Sequence, residues 1–222
     1  MYCTSLLSYN FAGSLDFLSL VGFYECHNFL SFVTPFGILF NLLVRCSEHQ
    51  IIRVCSIDVN GFLVDFNDKE AMKNKEWYSV NKLGQNSYDS RPYVDYYQWL
   101  SPFSQGARGH IKQLINKLSK IEGLASVHLD YVRYCDVILP IKLQPKYGLD
   151  QSYEMPEYDF GYHPVAREIF KKEYGVDPIE LKNDDFKDEW LKFRLDAVTS
   201  LVNELAQIAH SNGTKISAAV FP

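Results

Sequence analysis

The run from Val127 to Asp136, VHLDYVRYCD, brings an imidazole, two carboxylates and a guanidinium into ten residues. Its apolar, β-branched start reads as a buried strand, in which alternate residues share a face: His128, Asp130 and Val132 on one side, Leu129 and Tyr131 on the other. An acid and an imidazole on one face of a buried strand are costly unless they are paired or turned towards a site. The functional reading places the Asp130 carboxylate where a substrate reaches it; the alternative is a structural ion pair with Arg133 or another arginine. Asp58, at the end of the preceding strand candidate, is a second acid in a comparable place.

These residues need elements to position them. Leu18 to Tyr24, Ile51 to Ile57, Leu124 to Tyr131 and Lys215 to Phe221 read as strands, and Phe36 to Arg45 as a helix on the spacing of Leu39, Leu42 and Leu43. Ser104 is the expected cap of a helix running to about Lys120, with Gly123 stopping it. Pro164 opens a helix reaching Tyr174, and the stripe from Trp190 to Ile208 forms the longest helix, ended by Asn212-Gly213. Strand, long connection, helix, strand is the pattern of parallel βα units, so the expected class is α/β. Ligands in such folds lie outside the carboxyl ends of the strands. No Gly-rich phosphate loop joins a strand to its helix, which argues against nucleotide binding, and no GxSxG is present.

A formal charge of -5 on 222 residues leaves no basic footprint, so nucleic acid is not the expected partner. The charge is unevenly spread: residues 1 to 50 hold four charged side chains, yet seven of the fifteen Phe. Phe29 to Val44 is mostly apolar but short for a bilayer crossing and broken by Pro35, Gly37 and Asn41, so buried core is expected there and no membrane span. No basic stretch precedes it as a signal peptide would require. Five scattered cysteines without a CxxC pair read as buried thiols, and no metal, nucleotide or flavin is implied.

Residues 51 to 222 resemble the bacterial glycosyl hydrolase-like family 10, a family of (β/α)8 TIM-barrel glycosidases. The resemblance is carried by His128-Leu129-Asp130-Tyr131-Val132-Arg133-Tyr134, by Glu76 to Asn81 (EWYSVN), Tyr96 to Pro102 (YYQWLSP), Trp190 to Arg194 (WLKFR) and Ile216 to Pro222 (ISAAVFP). It implies a single barrel domain over 1 to 222, incomplete, with strands two to five present and a diverged start over residues 1 to 50. The His-Ala-Trp pattern that the family carries after its third strand is replaced by Val54 to Asp58. A barrel of this type has about 250 residues, so the chain is expected to be truncated and an open barrel to self-associate. The resemblance also suggests an exported or periplasmic protein acting on a carbohydrate substrate without a cofactor.

Glycoside hydrolysis uses two carboxyl groups, one protonated and one ionised. Asp130 is the expected nucleophile or general base, kept ionised by Arg133. Asp58 and Asp136 are candidates for its partner by position, with Glu154, Glu157 and Asp159 on the acidic loop that follows. His128, Arg133, Asp58, Asp136, Trp99 and Tyr97 are the expected substrate contacts. For Trp77 and Trp99, packing that anchors the long loops is the slightly favoured reading, and Arg194 is expected to tie a loop to the barrel wall. The rival function is a non-catalytic, carbohydrate-binding or inert fragment.

Overall fold

The computed structural model describes residues 29–33, 39–45, 54–64, 68–181 and 185–220. Five strands, β1 (Phe29–Val33), β2 (Leu39–Arg45), β3 (Val54–Asn60), β4 (Ser126–Asp130) and β5 (Lys215–Ala218), form one sheet in that spatial order. β2 runs antiparallel to both β1 and β3, whereas β3, β4 and β5 are mutually parallel. The helices are α1 (Lys69–Lys73), α2 (Gln105–Leu118), α3 (Pro164–Tyr174) and α4 (Lys187–Ser211).

Strands β3 and β4 are buried on one side by α2 and α4. Ile57 and Val59 of β3 and Val127 and Leu129 of β4 meet Ala107, Ile111 and Ile115 of α2 and Leu201, Leu205 and Ala209 of α4 in one core cluster. α2 starts where Ser104 accepts a hydrogen bond from the Ala107 N–H (3.3 Å). The two helices are clamped by Arg108, whose buried guanidinium donates to the carbonyls of Pro102 (3.1 Å) and Ala197 (3.2 Å), to Ser200 Oγ (3.0 Å) and to the Glu204 carboxylate. Lys112 pairs with the same carboxylate from the rim (2.8 Å), and together the two cations hold it below the usual carboxylate range, Lys112 contributing most.

The two long connections are ordered by their own polar residues. Asn81 is fully buried and makes four hydrogen bonds: its amide donates to Gln85 Oε1 and the Glu157 carbonyl (both 3.0 Å) and its oxygen accepts from the N–H groups of Leu83 and Gln85. Ser79 and Ser87 donate to the carbonyls of Leu100 and Trp99, stitching the segment around Tyr78 to that around Trp99. The second connection is pinned by Arg194, which pairs with Asp159 at 2.7 Å in a largely buried setting. Gly161 permits this approach, since a Cβ there would lie 2.4 Å from the Arg194 guanidinium. A second aromatic core of Phe103, Tyr162, Phe170 and Trp190 joins α3 to the start of α4.

The architecture corrects the barrel expectation. A (β/α)8 barrel, complete or cut to strands two to five, alternates strand and helix around an all-parallel sheet. Here, among the described residues, only three strands are parallel, and β1 and β2 add an antiparallel pair to the edge of one small mixed sheet. The self-association expected of an open barrel loses that premise. The helix expected over Phe36 to Arg45 is instead, over its described residues Leu39–Arg45, strand β2. A short apolar run satisfies both periodicities, and pairing with β1 and β3 on either side decides for the strand. The strand expected at Leu18 to Tyr24 lies outside the described residues, as does Phe221-Pro222. The strand expected from Ile51 is described from Val54, and α3 spans the expected residues. Arg194 ties the loop through Asp159 to α4 rather than to a barrel wall. No helix among the described residues is long and apolar enough to cross a membrane.

Two stability outcomes follow from this frame. In urea unfolding, Arg108→Met should cost about 2–4 kcal/mol, because it strands four acceptors, while Lys112→Met at the rim should cost less than about 1 kcal/mol. Equal effects would contradict the clamp. His163 caps α3 with Nδ1 accepting from the Val165 N–H (3.3 Å) while Nε2 lies 2.9 Å from the Glu76 carbonyl, an arrangement that one neutral tautomer satisfies. Burial lowers its pKa below the ordinary 6.5 against the opposing carbonyl hydrogen bond. The unfolded chain then takes up the proton first, so this contribution is complete above pH 6.5 and is lost as pH falls towards the depressed folded value. His163→Asn should flatten that slope, which is at most about 1.4 kcal/mol per pH unit.

Candidate functional site

Because β3 and β4 bury Ile57, Val59, Val127 and Leu129 beneath the helices, the residues between them occupy the opposite face. Register sets Asp58 beside His128 and His128 beside Ser217, giving an acid, an imidazole and a hydroxyl in a row across the three parallel strands. Asn60 and Asp130 are paired one step further towards the carboxyl ends. His128 Nδ1 and Ser217 Oγ share a hydrogen bond of 2.8 Å. Asp58 and Asp130 are thus diagonal neighbours, roughly 8 Å apart at Cα from strand spacing and rise.

The exits of β3 and β4 are locked together. The Gly61 N–H donates to the Asp130 carbonyl (2.6 Å) and the Phe62 N–H to the Tyr131 carbonyl (3.1 Å). A Cβ at Gly61 would sit 2.9 Å from the Val132 backbone, so only glycine allows this approach without movement. Asp130 Oδ1 accepts from the N–H of Tyr131, whose φ of 48° lies in the left-handed region. For a bulky residue that conformation costs roughly 1–3 kcal/mol.

The turn carries the chain into an aromatic cluster. Trp99 is 1% exposed, with Tyr97 packed edge-on at 5.7 Å and Tyr131 at 5.8 Å between ring centres. Its indole Nε1 has no hydrogen-bond partner among the described residues. The Arg133 guanidinium lies 5.4 Å from the Trp99 ring and 5.9 Å from that of Tyr131, and pairs with Asp136 at 3.0 Å. Tyr93, also left-handed (φ 61°), donates to the Asp136 carbonyl (2.8 Å) and stacks on Tyr158.

The acids differ in environment. Burial raises the pKa of Asp58 above the ordinary carboxylate value, opposed by His128 and reinforced by the like charge of Asp130. The Tyr131 phenol is raised too, by burial first and by the charge of Asp130 second. Asp130 Oδ1 accepts the Tyr131 N–H instead.

The structure therefore sorts the expected site residues into two adjoining groups: Asp58, His128 and Asp130 on the sheet face, and Tyr97, Trp99, Arg133 and Asp136 in the loop cluster at its carboxyl end. Trp99 is a buried support, not an exposed sugar platform. Arg133 is paired with Asp136, the partner sequence spacing offered as a second acid. Val132 is buried against Gly61, because the left-handed turn at Tyr131 ends the strand alternation after Asp130. Asp159 is committed to Arg194, Glu154 is exposed, and Trp77 packs by His110. Ser217 and Asn60 were not singled out by sequence; their positions depend on a cross-strand register that alternation within one strand does not supply. A further acid–imidazole pair, Asp68 with His110 at 2.7 Å, is largely buried, and Asp68 also caps α1. Among the described residues no group of three or more His, Cys, Asp and Glu is arranged to hold a metal. The Cys135 thiol is free and buried, which pushes its pKa up.

Comparison of the chain with family models, with curated proteins and with solved structures finds no match.

The raised pKa of Asp58 carries a stability signature with a definite sign. A carboxyl whose folded pKa is above its unfolded value favours the folded state at low pH and opposes it once ionised. Asp58→Asn should thus stabilise the protein at pH 7–8, and the gain should shrink as pH falls through the raised pKa. Thermal melts of both proteins across pH 4–8 measure this; a uniform loss of stability would contradict the assignment.

Proposed function

We propose that the chain hydrolyses a glycosidic bond in an oligo- or polysaccharide, with Asp58 as general acid and Asp130 as general base or nucleophile. The observation that carries this reading is the pair of carboxylates on one sheet face at the carboxyl end of parallel strands, in unequal environments. A protonated and an ionised carboxyl side by side are the acid/base pair that glycoside cleavage uses. Their diagonal register is compatible with carboxyl separations of about 5 to 9.5 Å, the range that spans retaining and inverting mechanisms.

In this scheme Asp58 donates its proton to the leaving-group oxygen as the glycosidic bond breaks. Asp130 either attacks the anomeric carbon or takes a proton from the water that does. His128, held by Ser217, lies beside Asp58 and opposes the rise of its pKa. The family resemblance of the HLDYVRY run to glycosidases points to the same reaction class. A second reading, sugar binding without cleavage, draws on the aromatic cluster alone.

Aryl and alkyl glycosides separate the roles. Asp130→Asn should lower kcat/KM by about 10²–10⁴ on every substrate. Asp58→Asn should do so on alkyl glycosides but have a much smaller effect on 2,4-dinitrophenyl glycosides, whose leaving group needs no proton. Activity in Asp130→Asn equal to that of the parent protein would sink the proposal.

A further inference from the structure

Three non-glycine residues among those described adopt a left-handed backbone, and one of them, Tyr131, packs on Trp99. At Tyr93 a tight turn accounts for it, closed by the Val94 N–H on the Pro92 carbonyl (2.6 Å). Tyr131 leaves β4 immediately after Asp130, and its turn swings the ring off the strand path and against the edge of Trp99. The chain thus accepts backbone strain at the one position that sets an aromatic ring beside the acid.

The ring is part of a graded surface. Trp99 is buried, Tyr97 and Tyr131 flank it and are half-buried, and Tyr96, packed edge-on to Tyr97 at 4.9 Å, is 45% exposed. Edge-to-face contacts at 86°, 88° and 67° turn successive rings across one another, and the Arg133 guanidinium lies over the Tyr131 ring. At the border lies the Arg133–Asp136 pair, both partly exposed, offering charged hydrogen-bonding groups. Aromatic faces with a charged rim suit a ring that is apolar on its faces and hydroxylated at its edge.

Resting on the glycosidase reading, we propose that Tyr131, with Tyr97 and Tyr96, forms a subsite that binds one pyranose ring of a β-linked chain next to Asp130. A pyranose with equatorial hydroxyls presents axial C–H groups on both faces and its hydroxyls at the rim. The rim meets Asp136 and Arg133 while a face meets the tyrosines. Trp99 supports the surface from beneath and touches no sugar. The left-handed turn is what keeps the Tyr131 ring in place before substrate arrives.

Equilibrium binding measured on an Asp130→Asn background separates this subsite from catalysis. The probes are cellohexaose, xylohexaose and β-1,4-mannohexaose, read by intrinsic tryptophan fluorescence and by saturation-transfer NMR. At least one is expected to bind. Tyr131→Phe, which keeps the ring, should stay within about twofold of the parent affinity. Tyr131→Gly and Tyr131→Asn, both tolerant of a positive φ, should fold and should weaken binding at least about tenfold. A ring that only packs on Trp99 would instead lower the melting temperature in these two variants and leave affinity unchanged, which would overturn the proposal. So would the absence of binding for all three probes at millimolar concentration. Tyr131-dependent binding in a protein whose parent form hydrolyses none of them would uphold the subsite and refute the hydrolase reading.

Discussion

Everything at the candidate site depends on the one-sided burial of the parallel strands. Ile57, Val59, Val127 and Leu129 go under α2 and α4, and the two-residue period of a strand then leaves Asp58, His128 and Asp130 no other face. A slip of one residue in either strand would bury an acid or an imidazole in an apolar layer, at a cost of several kcal/mol, and would expose the valines. The hydrophobic layer therefore sets the register that brings Asp58 level with His128 and Asp130 level with Asn60. The Arg108 clamp works at one remove: by holding α2 to α4 it keeps the layer that enforces this register.

The polar face is completed by connections that are long yet ordered. Residues 68–103 and 131–163 contain few apolar side chains at regular spacing, and their order comes from buried amides and hydroxyls, with Asn81, Ser79, Ser87 and Gln151 each bonded to backbone or side-chain partners. Gln151 donates to Tyr93 Oη (3.1 Å), so the second connection also braces the aromatic cluster beside the site. Two of the segments that carry the family resemblance, around Trp77 and around Trp99, are paired with each other here through Ser79 and Leu100.

Much of this frame is legible in the residues themselves. The Ser104 cap, the Pro164 start and the Asn212-Gly213 stop mark the helices because each supplies local backbone chemistry, and the alternation in Val127 to Asp130 marks the strand. What is not legible is whatever depends on pairing between distant segments. Leu39 to Arg45 is apolar enough for helix or strand, and its neighbours decide; the direction of β2 against β3 is likewise written in neither strand, and with it falls the barrel. At the site, Asp130 and His128 stand out because polar residues in an apolar strand do. Ser217 is invisible without the β4–β5 register, and nothing local announces the left-handed backbone at Tyr131 that ends the alternation.

The distribution of unfavourable features argues for a site where the carboxyl ends of β3 and β4 meet. Asp58 is partly desolvated there, Tyr131 and Tyr93 hold left-handed backbones, and the Trp99 indole N–H is buried without a partner among the described residues. Each costs stability that a fold selected for stability alone would recover: asparagine for Asp58, glycine for Tyr131. Comparable features lie elsewhere too, at the left-handed Phe186 before α4 and at the Tyr78 phenol, the Trp190 indole N–H and Arg194 Nε, each without a hydrogen-bond partner among the described residues. Such features persist only where the surrounding structure over-determines them, and here the surroundings do so by direct contact. Gly61 and Phe62 hold the backbone of Asp130 and Tyr131, Trp99 holds the Tyr131 ring, and Arg133 is held by Asp136. The rigid layer beneath thus maintains a face whose own geometry is uphill, with burial holding the Asp58 carboxyl above the ordinary carboxylate pKa.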